Sequence, residues 1–72
     1  MLIFYGTSNC HLCEQAEVTL RGMGLALEHI DITEDDSLLL RYGTSIPVLR
    51  RVDDERELVW PFDTSAVRQF LY

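Results

Sequence analysis

Apolar and polar residues follow one another in blocks along the first half of the chain, and the lengths of these blocks predict strand, helix and strand. The continuous apolar run at residues 2–5 predicts a short buried strand. An apolar stripe at helical spacing then predicts an amphipathic helix that ends at Gly22 to Gly24. The stripe consists of Leu12, Ala16, Leu20 and Met23. Charged residues interrupt the next apolar segment, residues 25–32, which predicts a second strand at an edge of the sheet.

The middle of the chain predicts a second helix and a hairpin. Residues 33–36 are typical of an N-cap at Thr33 followed by an acidic first turn, so we expect a short helix from there to Gly43. Two short apolar segments, residues 48–52 and 57–60, flank a charged turn. They predict an antiparallel hairpin of a third and a fourth strand.

A final helix closes the chain, with Asp63 or Thr64 as its predicted cap. Its inner side is expected to carry Ala66, Val67, Phe70 and Leu71. The element order is therefore βαβαββα, an α/β arrangement in which a right-handed crossover makes the first two strands parallel. Because 72 residues have room for one core, we expect a single domain over residues 1–72.

Two cysteines, Cys10 and Cys13, stand where the first strand gives way to the helix. A helix N-terminus presents free N–H groups and partial positive charge, which favour the thiolate form of Cys10. Cys13 follows by nearly one turn, close enough to resolve a mixed disulfide, so the spacing predicts dithiol–disulfide chemistry. The alternatives are a buried reduced pair or half of a zinc site. A tetrahedral zinc site needs four ligands, and the only histidines are His11 and His29. We predict no metal within one chain, while a metal or iron–sulfur cluster shared by two chains stays open.

Charge and composition narrow the partners and the location. Six arginines, no lysine and twelve acidic residues give a net charge of −6, which argues against nucleic acid and anionic membranes as partners. No apolar run is long enough to span a bilayer, and the first residues lack the features of a signal peptide. We therefore expect a cytoplasmic protein, and we also expect a monomer. In that compartment a CxxC pair is more often catalytic or metal-binding than a static crosslink.

The element order and two motifs resemble those of glutaredoxins, the smallest form of the thioredoxin fold. One motif is Cys10-His11-Leu12-Cys13 after the first strand, and the other is Thr44-Ser45-Ile46-Pro47-Val48 before the third. The resemblance covers essentially the whole chain. A Trp-Pro-Phe-Asp segment at residues 60–63 makes the chain similar to a group of small bacterial glutaredoxin-like proteins. The resemblance implies a minimal thioredoxin fold, with a four-stranded mixed sheet of order 2-1-3-4, the first and third helices on one face and the second on the other.

The leading functional hypothesis is a thiol–disulfide oxidoreductase. Cys10 would attack a disulfide of a protein or low-molecular-weight substrate, Cys13 would resolve the mixed disulfide, and a cellular thiol reductant would reset the pair. By the resemblance, Pro47 matches the family's cis-proline beside the active site, and the backbone of Ile46 is free to pair with a substrate peptide. Protein disulfides and glutathione both stay open as substrates, and no cofactor is expected. The alternative is a non-catalytic metal-handling or protein-docking module on the same fold.

Four further residues are candidates for substrate contacts. His11 either stabilises the neighbouring thiolate as an imidazolium or is a solvent-exposed residue of the first turn. Tyr5 either forms an aromatic wall of the site or packs in the core, and Trp60 either lines a substrate groove or fills space beneath the last helix. Asp63 is expected to supply part of the binding role of the last helix's N-terminus. The residues expected to be solvated are His29, Arg50, Arg51 and the acids between Asp31 and Asp36.

Overall fold

The computed structural model describes residues 1–72, and its strands and helices follow the predicted order. In chain order the elements are β1 (Leu2–Gly6), α1 (His11–Gly22), β2 (Leu27–Asp31), a 3₁₀ turn (Ile32–Glu34), α2 (Asp36–Tyr42), β3 (Val48–Arg51), β4 (Glu57–Val59) and α3 (Thr64–Leu71). β1 and β2 are parallel, and β3 pairs antiparallel with both β1 and β4, so the sheet order is β2-β1-β3-β4. This confirms the predicted fold class and the position of β2 at an edge. None of the helices is both long and apolar enough to cross a membrane.

Residues of the two central strands alternate between the faces of the sheet, and each face carries its own apolar cluster. On one face, Phe4 and Leu49 pack against α1 and α3. The buried members of this first cluster are Leu2, Phe4, Cys13, Ala16, Leu20, Leu49, Phe62, Val67 and Phe70. On the other face, the 3₁₀ turn and α2 cover a second cluster, whose buried members are Tyr5, Ile32, Tyr42 and Val48. The helices therefore lie on both faces, as the resemblance implied.

The apolar stripe of α1 differs from the prediction at the start of the helix. Its buried residues are Cys13, Ala16 and Leu20, whereas Leu12 is 45% exposed. Both sets have helical spacing, so periodicity alone could not separate them. The sulfur of Cys13 packs beneath the end of β1, close to Gly6 and Phe4. This leaves an apolar side chain in solvent two residues after Cys10.

The acidic segment after β2 forms two caps, and the predicted N-cap at Thr33 is wrong. Thr33 lies within the 3₁₀ turn, and the carboxylate of Asp31 accepts its N–H at 2.9 Å. Asp35 caps α2 in the same way, by accepting the N–H of Ser37 at 2.8 Å. Aspartate ranks above threonine as an N-cap, and here an aspartate directly precedes each of the two turns.

Arg50 and Arg51 are not the solvated side chains that the sequence predicted. The guanidinium of Arg50 lies 3.5 Å from the carboxylate of Glu57 and 3.3 Å from that of Glu55, and only 18% of the side chain is exposed. Pairing of β3 with β4 places Arg50 directly opposite Glu57, which explains the contact. Arg51 donates from Nη1 to the backbone carbonyl of Phe70 at 2.8 Å and so links β3 to α3.

Candidate active site

The local sequence places one cysteine at the first turn of α1. β1 ends at Gly6, and Asn9 in the following loop has a φ of 58°, in the left-handed region that asparagine tolerates better than most residues. Cys10 follows with extended backbone as the N-cap of α1, and its carbonyl accepts the N–H of Glu14 at 3.1 Å. The predicted position of Cys10 at a helix N-terminus is therefore confirmed.

Cys10 and Cys13 are joined by a disulfide bond. Their Cα atoms lie 5.2 Å apart, within the range usual for disulfides. The backbone N–H of Cys13 also donates to Sγ of Cys10 at 3.2 Å. The two residues differ in access to solvent, because Cys10 is half-buried whereas Cys13 is only 5% exposed. A reagent from solvent therefore reaches one sulfur of the pair more readily than the other.

Gly6 gives the sulfur of Cys13 the space it occupies. A Cβ atom added at Gly6 would lie 3.2 Å from Sγ of Cys13 and 3.3 Å from Cε1 of Phe4. Both distances are tighter than ordinary van der Waals contact. Gly6 had no role among the residues predicted from the sequence. The available signal was a glycine directly after the apolar run at residues 2–5, seven residues before the second cysteine.

A cavity of about 160 Å³ lies on the side of Cys13 that faces β2. Its polar wall is formed by Glu14, Glu17, His29 and Asp31. His29 is about half exposed, and its Nε2 lies 2.7 Å from Oε1 of Glu17, so it pairs across from β2 to α1. The pKa of Asp31 is lowered, first by the hydrogen bond from the Thr33 hydroxyl and then by that from the Thr33 N–H. Carboxylates therefore border the shielded sulfur.

The segment before β3 and the cysteine pair both pack on the first cluster. The Ile46–Pro47 peptide bond is cis, Pro47 is buried, and its carbonyl accepts the N–H of Trp60 at 3.1 Å. Ile46, Trp60 and Cys10 are all half-buried and pack against the same cluster. The N–H of Ile46 donates to the carbonyl of Tyr42 at 3.2 Å, so the expectation that the backbone of Ile46 is free holds at most for its carbonyl.

The other predicted site residues have different surroundings. The side chain of His11 is 81% exposed, and its Nδ1 lies 3.9 Å from Oε2 of Glu14. Tyr5 is buried in the second cluster, where its ring stacks on that of Tyr42 with centroids 4.4 Å apart. These contacts are those of a core residue, and they lie on the face of the sheet opposite to α1.

The Trp-Pro-Phe-Asp segment connects β4 to α3 by packing and by a cap. The ring of Trp60 meets that of Phe62 edge-on with centroids 5.1 Å apart, and Phe62 is buried in the first cluster. Asp63, rather than Thr64, is the N-cap of α3, and its carboxylate accepts the N–H of Ala66 at 2.8 Å. The segment therefore starts α3 and packs beneath it.

Residues 1–72 match the model of a known family, described as Glutaredoxin-like domain (DUF836). The chain belongs to this glutaredoxin-like family. The crystal structure of target protein XcR50 from X. campestris has a TM-score of 0.90 and 39% identity, and the match covers 99% of this chain and 95% of that one. The solution structure of protein Ne2328 from Nitrosomonas europaea has a TM-score of 0.81 and 31% identity, with 96% and 87% covered. No curated protein matches the chain.

The arrangement of ligands in the glutaredoxin-like protein bears on the metal-handling alternative. No group of three or more His, Cys, Asp or Glu side chains is placed to hold a metal ion together. His11 points to Glu14, and His29 pairs with Glu17. A zinc or iron site at Cys10 and Cys13 would therefore need ligands from another molecule.

Proposed function

We propose that this glutaredoxin-like protein is a thiol–disulfide oxidoreductase in which Cys10 attacks and Cys13 resolves. The observation that carries the proposal is the asymmetry of the pair. Cys10 is accessible at the N-terminus of α1, while Cys13 is shielded one turn further into the same helix. An accessible sulfur with a shielded partner is the arrangement that exchange through a mixed disulfide requires.

The reaction starts from the reduced protein. The Cys10 thiolate attacks one sulfur of a substrate disulfide, the substrate S–S bond breaks, and one substrate half leaves as a thiolate that takes up a proton. The Cys13 thiol then loses its proton and attacks Sγ of Cys10, which forms the observed disulfide and releases the second half as a thiol. The substrate gains two electrons from the protein pair and two protons, one from the Cys13 thiol and one from solvent. A cellular thiol reductant restores the dithiol by the reverse exchange.

The position of Cys10 favours its thiolate over that of Cys13. The free N–H groups and the dipole at the start of α1 stabilise negative charge there, and the N–H of Cys13 is directed at Sγ of Cys10. Burial opposes ionisation of a thiol, so the shielding of Cys13 disfavours its thiolate form. The nucleophile at neutral pH is therefore Cys10.

The surroundings of Cys10 support an extended polypeptide as substrate. Leu12 is partly exposed beside it, and the half-buried Ile46 and Trp60 lie on the cluster against which Cys10 packs. The carbonyl of Ile46 is available to accept a hydrogen bond from a substrate N–H, as in strand addition. His11 is exposed in the first turn of α1, and Asp63 is exposed at the start of α3. A protein disulfide fits this surface, with glutathione as the alternative co-substrate.

Alkylation of the reduced protein tests the assignment. At neutral pH, iodoacetamide should modify Cys10 more than tenfold faster than Cys13, measured by peptide mass spectrometry over time. Cys13→Ser should keep a reactive Cys10 and accumulate a mixed disulfide with substrate, whereas Cys10→Ser should lose all turnover in reduction of insulin disulfides. Equal and slow labelling of both sulfurs would contradict the proposal.

A further inference from the structure

The guanidinium groups and the N-terminal ammonium group of this protein all lie away from Cys10, and the basic group next to Cys10 is the exposed imidazole of His11. Arg51 and Arg56 flank the turn between β3 and β4, and Arg51 pairs with Leu2, so this turn lies where β1 begins. Cys10 follows the opposite end of β1. The N-terminal amine belongs to the same remote end, since the carbonyl of Met1 accepts the N–H of Val52.

The remaining arginines are engaged or distant. Glu57 of β4 lies 3.5 Å from Arg50 and 3.7 Å from Arg41. Glu57 pairs with Arg50 of β3, and Arg50 pairs with Ile3 near the start of β1, so these charges lie toward that end of the sheet. Arg21 lies 3.1 Å from Glu17, and Arg68 lines a groove at the end of α1. A helix of twelve residues is about 18 Å long, so the end of α1 is far from Cys10. The chain has no lysine.

The Cys10 end of the sheet carries carboxylates without arginines among them, whereas the acids of the remote turn between β3 and β4 lie among Arg50, Arg51 and Arg56. Because β1 and β2 are parallel, their carboxyl ends share one edge, and Gly6 pairs with Asp31 there. The carboxylates at this edge are Glu14, Asp31, Glu34, Asp35 and Asp36. Asp31 and Asp35 accept backbone N–H groups, which satisfies those donors but leaves a formal charge on each carboxylate. A molecule that approaches Cys10 from this edge therefore meets carboxylates and the imidazole of His11, with no guanidinium or ammonium group among them.

We propose that the Cys10–Cys13 pair selects disulfides with positive charge beside the sulfur, as in cationic polypeptide segments, and disfavours anionic thiols and disulfides. The inference rests on the proposed function, since the cysteine pair is the reacting group and the charges only select among its substrates. Carboxylates around a site raise the association rate of a cationic substrate and lower that of an anionic one, and both effects are strongest at low ionic strength. Glutathione, with more carboxylates than ammonium groups, is thus a poor partner.

Three small disulfides of different charge test the selection. Reduced protein is mixed with cystamine, 2-hydroxyethyl disulfide or 3,3′-dithiodipropionate, and the thiols remaining after acid quenching are labelled and counted by mass. Each probe is reduced to two thiols while the protein pair is oxidised. Because the probes also differ in the basicity of the thiolate that leaves, each rate is divided by the rate of the same probe with free 2-mercaptoethanol under the same conditions. We expect the divided rate of cystamine to exceed that of dithiodipropionate about tenfold at low salt, with the neutral probe between them. The ratio should fall toward about two at high salt, because screening shortens the reach of the charges.

A graded substitution locates the effect. Glu14→Gln and Glu14→Lys should lower the cystamine-to-dithiodipropionate ratio in steps of about twofold each. Asp53, exposed in the remote turn between β3 and β4, supplies the matched control, and Asp53→Asn and Asp53→Lys should leave the ratio unchanged.

The outcomes separate this inference from the function on which it rests. Equal divided rates for the three probes, or the same shift from the Glu14 and the Asp53 variants, would overturn the charge selection while the pair remained redox-active. Failure of the neutral probe to oxidise the pair at any salt concentration would overturn the proposed function, and the selection with it.

Discussion

Replacement of Gly6 by alanine tests how closely the end of β1 is packed on the shielded sulfur. The added methyl carbon would lie 3.2 Å from Sγ of Cys13, 3.3 Å from Cε1 of Phe4 and 3.4 Å from Cβ of Cys13. None of these neighbours is the free end of a flexible surface chain, because Cys13 and Phe4 are both buried. The methyl group can be accommodated only if the cysteine or the aromatic ring moves by a few tenths of an ångström.

The expected magnitude combines two opposing effects. Overpacking of a buried site costs about 1–3 kcal/mol, and the loss of backbone freedom in the unfolded chain returns about 0.4–1 kcal/mol. We therefore expect Gly6→Ala to lower the free energy of unfolding by about 1–2 kcal/mol. In a domain of this size, that corresponds to a fall in Tm of about 5–15 °C. The displaced Cys13 should also resolve a mixed disulfide more slowly, while alkylation of Cys10 in the reduced protein stays close to the wild-type rate.

Gly22→Ala is the matched control, because it makes the same chemical change where nothing lies within 4 Å of the added Cβ. Gly22 is the last residue of α1, and alanine there should be neutral or stabilising by up to about 0.5 kcal/mol. Urea unfolding, followed by circular dichroism on the oxidised and the reduced forms, measures both variants. The packing argument is refuted if the two glycine variants have the same stability, or if Gly6→Ala is as stable as the wild type.

Two further predictions concern α3 and the second cluster. Asp63→Ala should lower the free energy of unfolding by about 1 kcal/mol because the N–H of Ala66 loses its acceptor, and Asp63→Asn, which keeps an acceptor, should recover most of it in the same unfolding assay. The pKa of Tyr42 is raised, first by burial and then by its hydrogen bond to Glu57, so the folded state keeps this proton to higher pH than the unfolded state. The resulting stability is present below a pH of about 10 and is lost as the pH rises further. Tyr42→Phe should flatten this decline in the free energy of unfolding, measured by unfolding curves recorded from about pH 8 to 11.5.

Local sequence signals were sufficient for the start of α1 and for the order of the elements. A short apolar strand, a turn and a helical pattern placed Cys10 correctly without any knowledge of the sheet. The sheet order and the faces of the helices came from the family resemblance, because spacing within single elements carries no information on strand pairing. The structure adds contacts between residues far apart in the chain. Arg50 is paired because β4 brings Glu57 opposite it, and no pattern within β3 shows this.

Side-chain periodicity failed where two registers were equally regular. Leu12 and Cys13 both fit a helical stripe with Ala16 and Leu20, and a hydrophobicity scale favours leucine. In the structure the buried residue is Cys13, because its side chain packs closely against Gly6 at the end of β1. The same contact explains why the role of Gly6 was missed, since it depends on a neighbour that only the folded chain supplies.

Cys10 occupies a position where the most reactive residue is not the most stabilising one. It is the N-cap of α1, and serine, aspartate, asparagine and threonine are the side chains that start helices best. A hydroxyl at this position would accept the N–H of Cys13 more strongly than sulfur does. A cysteine therefore keeps residue 10 below its optimal contribution to folding, which under the proposed function is a trade-off between activity and thermodynamic stability at a single backbone position. In consequence, the inactive Cys10→Ser protein is expected to be at least as stable as the reduced wild type, and its loss of turnover would report on chemistry and not on unfolding.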